Sequence, residues 1–103
     1  MEYEVILETT AIRDLYGILD YITDVLKSPQ AAQRVFSSIE KQVMSLGHMP
    51  ERHSIVREEP YATIGVRIIP VENYSAFYVV DNSAHEVRIL RILYNRREWQ
   101  RLL

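Results

Sequence analysis

Three runs of branched and aromatic residues crowd the last third of this chain: VRII at residues 66–69, YSAFYVV at 74–80 and VRILRILY at 87–94. Such side chains suit a half-buried pleated surface, so each run reads as a strand. Between the second and third lies DNSAHE (81–86), whose Asp, Asn and Ser can bond their own backbone and favour a turn over more strand. A β-meander results, and the remainder of the chain must supply whatever covers it. In the middle strand Tyr74, Ala76, Tyr78 and Val80 point one way and Ser75, Phe77 and Val79 the other, so both faces are partly apolar and the strand reads as central. In the third, Val87, Ile89, Arg91 and Leu93 share one parity and Arg88, Leu90, Ile92 and Tyr94 the other, neither purely hydrophobic.

The upstream half has helical spacing. Tyr3, Val5 and Leu7 alternate with glutamates as a first strand, after which Thr9 or Thr10 is placed to cap a helix. Ala11, Leu15, Ile18, Ile22 and Val25 recur every three or four residues, widened by Ile12, Leu19 and Leu26. Gly17 is costly inside a helix and predicts a close approach of another element. Ser28-Pro29 opens a second helix, Ser28 as cap and Pro29 at the first position. Ala32, Val35, Phe36, Ile39, Val43 and Leu46 carry its apolar face to Gly47, read as a left-handed stop. The short link predicts an αα-hairpin. Residues 48–65, with Pro50 and Pro60, show no period and read as a surface connection with one short turn. After the third strand Asn95 turns the chain, and 96–103 is placed to form a short helix. The fold expected is α+β: an antiparallel sheet of about four strands, an N-terminal αα-hairpin on one face, and a short C-terminal helix.

A chain of 103 residues, 48% hydrophobic and 25% charged, matches one compact domain spanning 1–103. Its apolar runs fall far short of the ~20 residues of a membrane helix, and Glu2 and Glu4 stand where a signal peptide carries positive charge; a cytoplasmic protein with no membrane partner is expected. The absence of cysteine excludes disulfides, thiolate nucleophiles and zinc-thiolate sites. His48 and His53 flank Glu51 but read as solvated loop residues, so no metal or cofactor is expected. Nor is there a glycine-rich phosphate loop or a nucleophile-elbow serine.

Charge is divided unevenly. Residues 1–51 hold four basic against eight acidic groups (−4), residues 52–103 eight against six (+2), and all eight of the latter basic residues are arginine. Residues 88–103 alone hold five arginines and one acid, Glu98. Arginine's planar fork suits phosphate or carboxylate, and interleaved tyrosines suit unpaired bases. The sequence pI of about 5.9 argues against a general nucleic-acid coat.

The order of elements, with TAIRDLYGILDYI in the first helix, SPQAA opening the second, and the motifs Pro70-Val71-x-Asn73-Tyr74-x-x-Phe77-Tyr78-x-Val80-Asp81 and Ile89-Leu90-Arg91-Ile92-Leu93-Tyr94-x-Arg96-Arg97, resembles the RelE/ParE superfamily of bacterial type II toxin–antitoxin (plasmid stabilisation) modules over the whole chain. The resemblance implies the toxin half of an operon pair, held inactive by a cognate antitoxin whose C-terminal segment wraps it. RelE-like members cut messenger RNA in the ribosomal A site; ParE-like members inhibit DNA gyrase and are not nucleases. A RelE-like activity would fall on Arg67, Arg91 and Arg97 as phosphate ligands and Tyr94 as proton carrier. Ser75, however, stands where RelE-like enzymes carry an arginine, and their C-terminal tyrosine or histidine has no match here. A ParE-like role asks for a recognition surface, which Arg96, Arg97, Trp99 and Arg101 supply. ParE-like inhibition of a protein target such as gyrase is therefore placed first, ribosome-dependent cleavage of messenger RNA second, and an inactive or repurposed module third. The antitoxin is expected on the sheet face of Ser75, Phe77 and Val79.

Overall fold

The computed structural model describes residues 2–95 and Leu103. Along the chain run β1 (Glu4–Leu7), α1 (Thr9–Asp20), α2 (Pro29–Met44), the single turn α3 (Tyr61–Ile64), β2 (Arg67–Val71), β3 (Tyr74–Asp81) and β4 (Glu86–Tyr94). The strands form one sheet in the order β1-β4-β3-β2. The expected meander is present, both of its pairings antiparallel. β1 joins the far side of β4 and runs parallel to it, Val5 opposite Val87 and Leu7 opposite Ile89, so one pairing differs from the wholly antiparallel sheet expected. Alternation along a strand reports which face is buried and carries no information about which way a neighbour runs.

The αα-hairpin covers one face. Ala11 and Ile22 from its first arm and Ala32, Val35, Ile39 and Val43 from α2 meet Ile69, Ala76, Tyr78, Val87, Ile89 and Ile92 of the sheet in the main core. The first arm is not α-helical throughout, since Tyr21–Val25 form a π-helical turn that closes with Leu26 N–H donating to Tyr21 O at 3.1 Å. Ser28 caps α2 as expected, its Oγ accepting from Ala31 N–H at 3.3 Å. Neither threonine caps α1: Glu8 holds the cap position without a side-chain bond, and Thr10 Oγ1 donates to Leu90 O at 2.7 Å, tying the helix to β4.

A smaller cluster of Val56, Val66, Phe77 and Leu93 lies on the other face, with Ile68, Val79, Leu90 and Leu103 packed against it. The two parities of β4 both look mixed because the strand changes parity midway: Phe77 pairs with Arg91 but Tyr78 pairs with Ile89, leaving Leu90 as a bulge. Val87 and Ile89 before the bulge and Ile92 after it therefore face the same core, while Leu90 and Leu93 face the other. The outer edge of β2 is closed. Val56 N–H donates to Val66 O at 2.8 Å and Ile68 N–H to Ser54 O at 3.1 Å, and the next outward-facing position is Pro70, which has no N–H to offer.

Neither Gly17 nor Gly47 has the role expected of it. A Cβ at Gly17 meets nothing within 4 Å, whereas one at Gly47 falls 3.0 Å from Tyr3 O, so the close approach is at Gly47, where Tyr3 N–H donates to Gly47 O at 2.7 Å. The left-handed stop is Gly65, at φ 88° after α3. Gly17 is helical and exposed. Gly17→Ala is expected to raise stability by about 0.5–1 kcal/mol, read as a higher denaturation midpoint with an unchanged slope in urea.

Candidate functional site

Arg67, Arg91 and Tyr94 are the candidates for phosphate chemistry within the described residues; Arg96, Arg97, Trp99 and Arg101, and with them the expected C-terminal helix, lie outside those residues. Arg67 is drawn inward. Its Nη1 donates to His53 O at 2.6 Å and Glu51 O at 3.2 Å, its Nη2 lies 3.7 Å from Glu51 Oε2, and its side chain is only 17% exposed. Beside it the buried Tyr78 hydroxyl donates to Pro50 O at 2.7 Å. Together they clamp the connection after α2 onto the sheet. Burial pushes the Tyr78 phenol up to about 12, which keeps it a neutral donor.

Arg91 is engaged by a helix. Its Nε donates to Asp14 Oδ2 at 2.7 Å and its Nη2 to Asp14 Oδ1 at 2.9 Å, a bidentate pair of the kind guanidinium makes best. The same Oδ2 accepts from Ile92 N–H at 3.0 Å, so Asp14 closes the edge of β4 beyond the last β1 pairing. This carboxylate holds the Arg91 guanidinium more firmly protonated than usual.

Register decides whether these groups converge. Arg67 is opposite Tyr78 and Arg91 opposite Phe77, consecutive residues of β3 whose side chains point to opposite faces. Tyr94 is opposite Tyr74, four residues along β3 from the level of Arg67, which is roughly 13 Å at strand rise. Its ring meets Tyr74 edge-on, centroids 5.7 Å apart, and no hydrogen bond or ion pair joins it to a described arginine. Arg67 and Arg91 are thus each bonded to other groups of the fold, and Tyr94 pairs with Tyr74 instead.

Of the residues expected to face an antitoxin, Ser75 and Phe77 are buried, 7% and 1% exposed, and Val79 is half-buried at the cluster margin. That face is already packed by Val56, Val66 and Leu93. Among the described residues a depression of about 190 Å³ is lined by Ile68, Ser75, Phe77, Leu93, Tyr94 and Asn95. Ser75 Oγ donates to Asn95 Oδ1 at its rim, 2.5 Å away.

Sequence reasoning missed Asp14 and Glu72. Asp14 follows Ala11 by three and precedes Ile18 by four, so its carboxylate lies at the margin of the apolar stripe, where a buried charge requires a partner. Glu72 sits in the β2–β3 turn at φ 56° and accepts from Arg34 Nη1 of α2 at 2.6 Å; hydrogen bonds from Ser38 and Arg34 hold its carboxyl below the usual range. No local signal pairs residues so distant in sequence. Among the described residues no three histidine or acidic side chains converge as a metal site, and no helix is long and apolar enough to cross a membrane.

A comparison with curated proteins finds no match. Among solved structures, the chromosomal ParDE toxin–antitoxin system from P. aeruginosa superposes with TM-score 0.73 at 28% identity, over 90% of this chain and 96% of that one. The RelBE2 toxin–antitoxin complex from Mycobacterium tuberculosis gives 0.69 at 23% identity, over 91% and 99%. A free mutant form of the E. coli toxin RelE gives 0.67 at 13% identity over the full length of both chains; the latter two likenesses speak to the fold alone. The family model of the ParE toxin of the type II toxin–antitoxin system parDE matches residues 5–99, nearly the whole chain. With the four-stranded sheet, its helical hairpin and the C-terminal sequence motifs all within that match, the chain belongs to the ParE toxin family.

Proposed function

We propose that this chain is a growth inhibitor that acts by binding a protein target such as DNA gyrase, and that a cognate antitoxin holds it inactive. The observation that carries this reading is the engagement of Arg67 and Arg91 within the fold. Arg67 is turned onto two backbone carbonyls and Arg91 onto Asp14, while Tyr94 packs on Tyr74. Cleavage of RNA needs cations aimed together at one pentacovalent phosphate, whereas inhibition by binding needs only an accessible recognition surface. Arg96, Arg97, Trp99 and Arg101 supply the residue types that anchor such surfaces. Residues 2–95 hold nine basic and thirteen acidic side chains, a balance of −4, whereas residues 96–103 hold three basic and one acidic, a balance of +2.

The antitoxin reading follows the family, that of toxins of type II toxin–antitoxin systems, and the likeness to the ParDE toxin–antitoxin system of P. aeruginosa. On the face of Ser75, Phe77 and Val79, the depression at Ile68, Leu93 and Tyr94 is a place for one apolar side chain of the partner.

Induced expression without antitoxin, followed by a supercoiling assay and primer extension on translated messages, tests the proposal. Growth arrest with inhibited supercoiling and intact messages is expected, and Arg97→Ala should weaken the inhibition. Codon-phased cuts abolished by Arg97→Ala would reverse the conclusion in favour of a RelE-like nuclease.

A further inference from the structure

Gly17 weakens α1 and gains nothing within the chain. Glycine inside a helix costs stability, a cost that is offset where a second helix must come close. Yet a Cβ at Gly17 meets nothing within 4 Å among the described residues, and the residue is exposed in the middle of α1. The close approach it permits is open to another molecule.

Its neighbours on the outward face of α1 define what that molecule must offer. Arg13, Tyr16 and Asp20 recur at helical spacing on the side away from Ala11, Leu15 and Ile18, which face the core. Tyr16 is 63% exposed and Ile12, one turn before it, 40%. Arg13 and Asp20 are exposed too, and among the described residues neither takes part in a hydrogen bond or an ion pair. They stand one turn before and one turn after the mid-point between Tyr16 and Gly17, about 10 Å apart at helical rise.

Such a face is its own complement after a half-turn. With two copies of α1 antiparallel about a two-fold axis at that mid-point, Arg13 meets Asp20 of the partner subunit, and each Tyr16 ring lies over Gly17 of the partner subunit, where no side chain stands in the way. Parallel helices would instead set each charge against its own kind. We propose that the outward face of α1 docks a second copy of this chain, antiparallel across Gly17. The proposal is independent of the gyrase reading. The hairpin covers the sheet face opposite Phe77 and Val79, so a second copy on α1 leaves the expected antitoxin face accessible. At about 18 Å, α1 is short. The contact lies near the low end of specific interfaces, roughly 1,000 Å² in total, so the two copies should exchange in the micromolar range.

Sedimentation velocity of the purified full chain over about 1–200 µM tests this, with thermal midpoints to show that each variant folds. The wild type should pass from monomer to dimer across that range. Arg13→Asp turns two attractions into two repulsions and should raise the dissociation constant about tenfold or more, as should Asp20→Arg. The double variant Arg13→Asp/Asp20→Arg restores opposite charges across the axis and should associate like the wild type. Equimolar Arg13→Asp and Asp20→Arg should form a mixed dimer that neither forms alone. Gly17→Leu fills the site of approach and should be monomeric with no fall in thermal midpoint. A wild type that stays monomeric, or a dimer that none of these changes weakens, overturns the proposal. So does a charge effect that the double variant fails to reverse. If the wild type is monomeric and Gly17→Leu instead weakens capture of the co-expressed cognate antitoxin, the face belongs to the antitoxin and the second copy is ruled out.

Discussion

Asp14→Ala is expected to destabilise the fold by about 3 kcal/mol, the cost of removing the carboxylate from a largely desolvated, bidentate ion pair. The substitution removes both bonds to the Arg91 guanidinium and the one that satisfies Ile92 N–H. With side chains 23% and 14% exposed, neither Arg91 nor Asp14 is freely solvated. For a domain of this size the loss corresponds to a fall in melting temperature of roughly 12–20 °C. Arg91→Ala leaves the carboxylate stranded instead and should cost a similar amount. A double variant, Asp14→Leu with Arg91→Leu, should recover most of the loss, since replacing both charges with apolar groups leaves no bare ion. The coupling from the cycle should be about 2 kcal/mol. Additive single effects would show that the pair is a surface ornament and that α1 is held to β4 by packing alone. The same result would weaken the argument that Arg91 is unavailable to a phosphate.

Tyr78→Phe should change the alkaline limit of the protein more than its stability at neutral pH. Tyr78 is fully buried, and its phenol is raised to about 12 by burial, against about 10 in an unfolded chain. Because the folded state disfavours phenolate, the contribution is fully present below about pH 10 and is lost as the pH rises toward 12. Two pH units correspond to about 3 kcal/mol. Urea unfolding of the wild type should therefore lose about that much between pH 10 and 12 relative to Tyr78→Phe, which has no proton to release. Near pH 7 the phenylalanine variant should be weaker by about 1–2 kcal/mol, because Pro50 O loses its donor. Parallel pH profiles for the two proteins would mean that the hydroxyl ionises without disturbing the fold.

Both experiments probe contacts that sequence reasoning did not reach, and the division has a physical cause. Local chemistry was legible. Ser28-Pro29 opens α2, the apolar stripes of the hairpin face inward except at Ile12, Val25, Leu26 and Phe36, which stay exposed, and the three β-patterned runs are strands, because capping, helical period and pleat alternation act over a few residues. The opposing faces of β3 were readable in the same way, Ala76 and Tyr78 toward the hairpin and Ser75 and Phe77 away from it.

What depends on residues far apart in the chain was decided by the tertiary structure. The parallel pairing of β1 with β4, the bulge at Leu90 that reverses the parity of β4, and the close approach at Gly47 in place of Gly17 all depend on which backbone lies alongside. So does the state of the arginines. In the sequence Arg67 and Arg91 belong to one basic C-terminal cluster; in the fold each is matched to a carboxylate or carbonyl from elsewhere, Arg67 at residues 51 and 53 and Arg91 at residue 14. A sequence determines how many charges a protein carries and which short segments suit helix or strand, since those are properties of residues and their near neighbours. Only the packing of distant segments decides which of those charges are compensated, because desolvation and pairing are set by what lies across the interface, and for Arg91 that is Asp14.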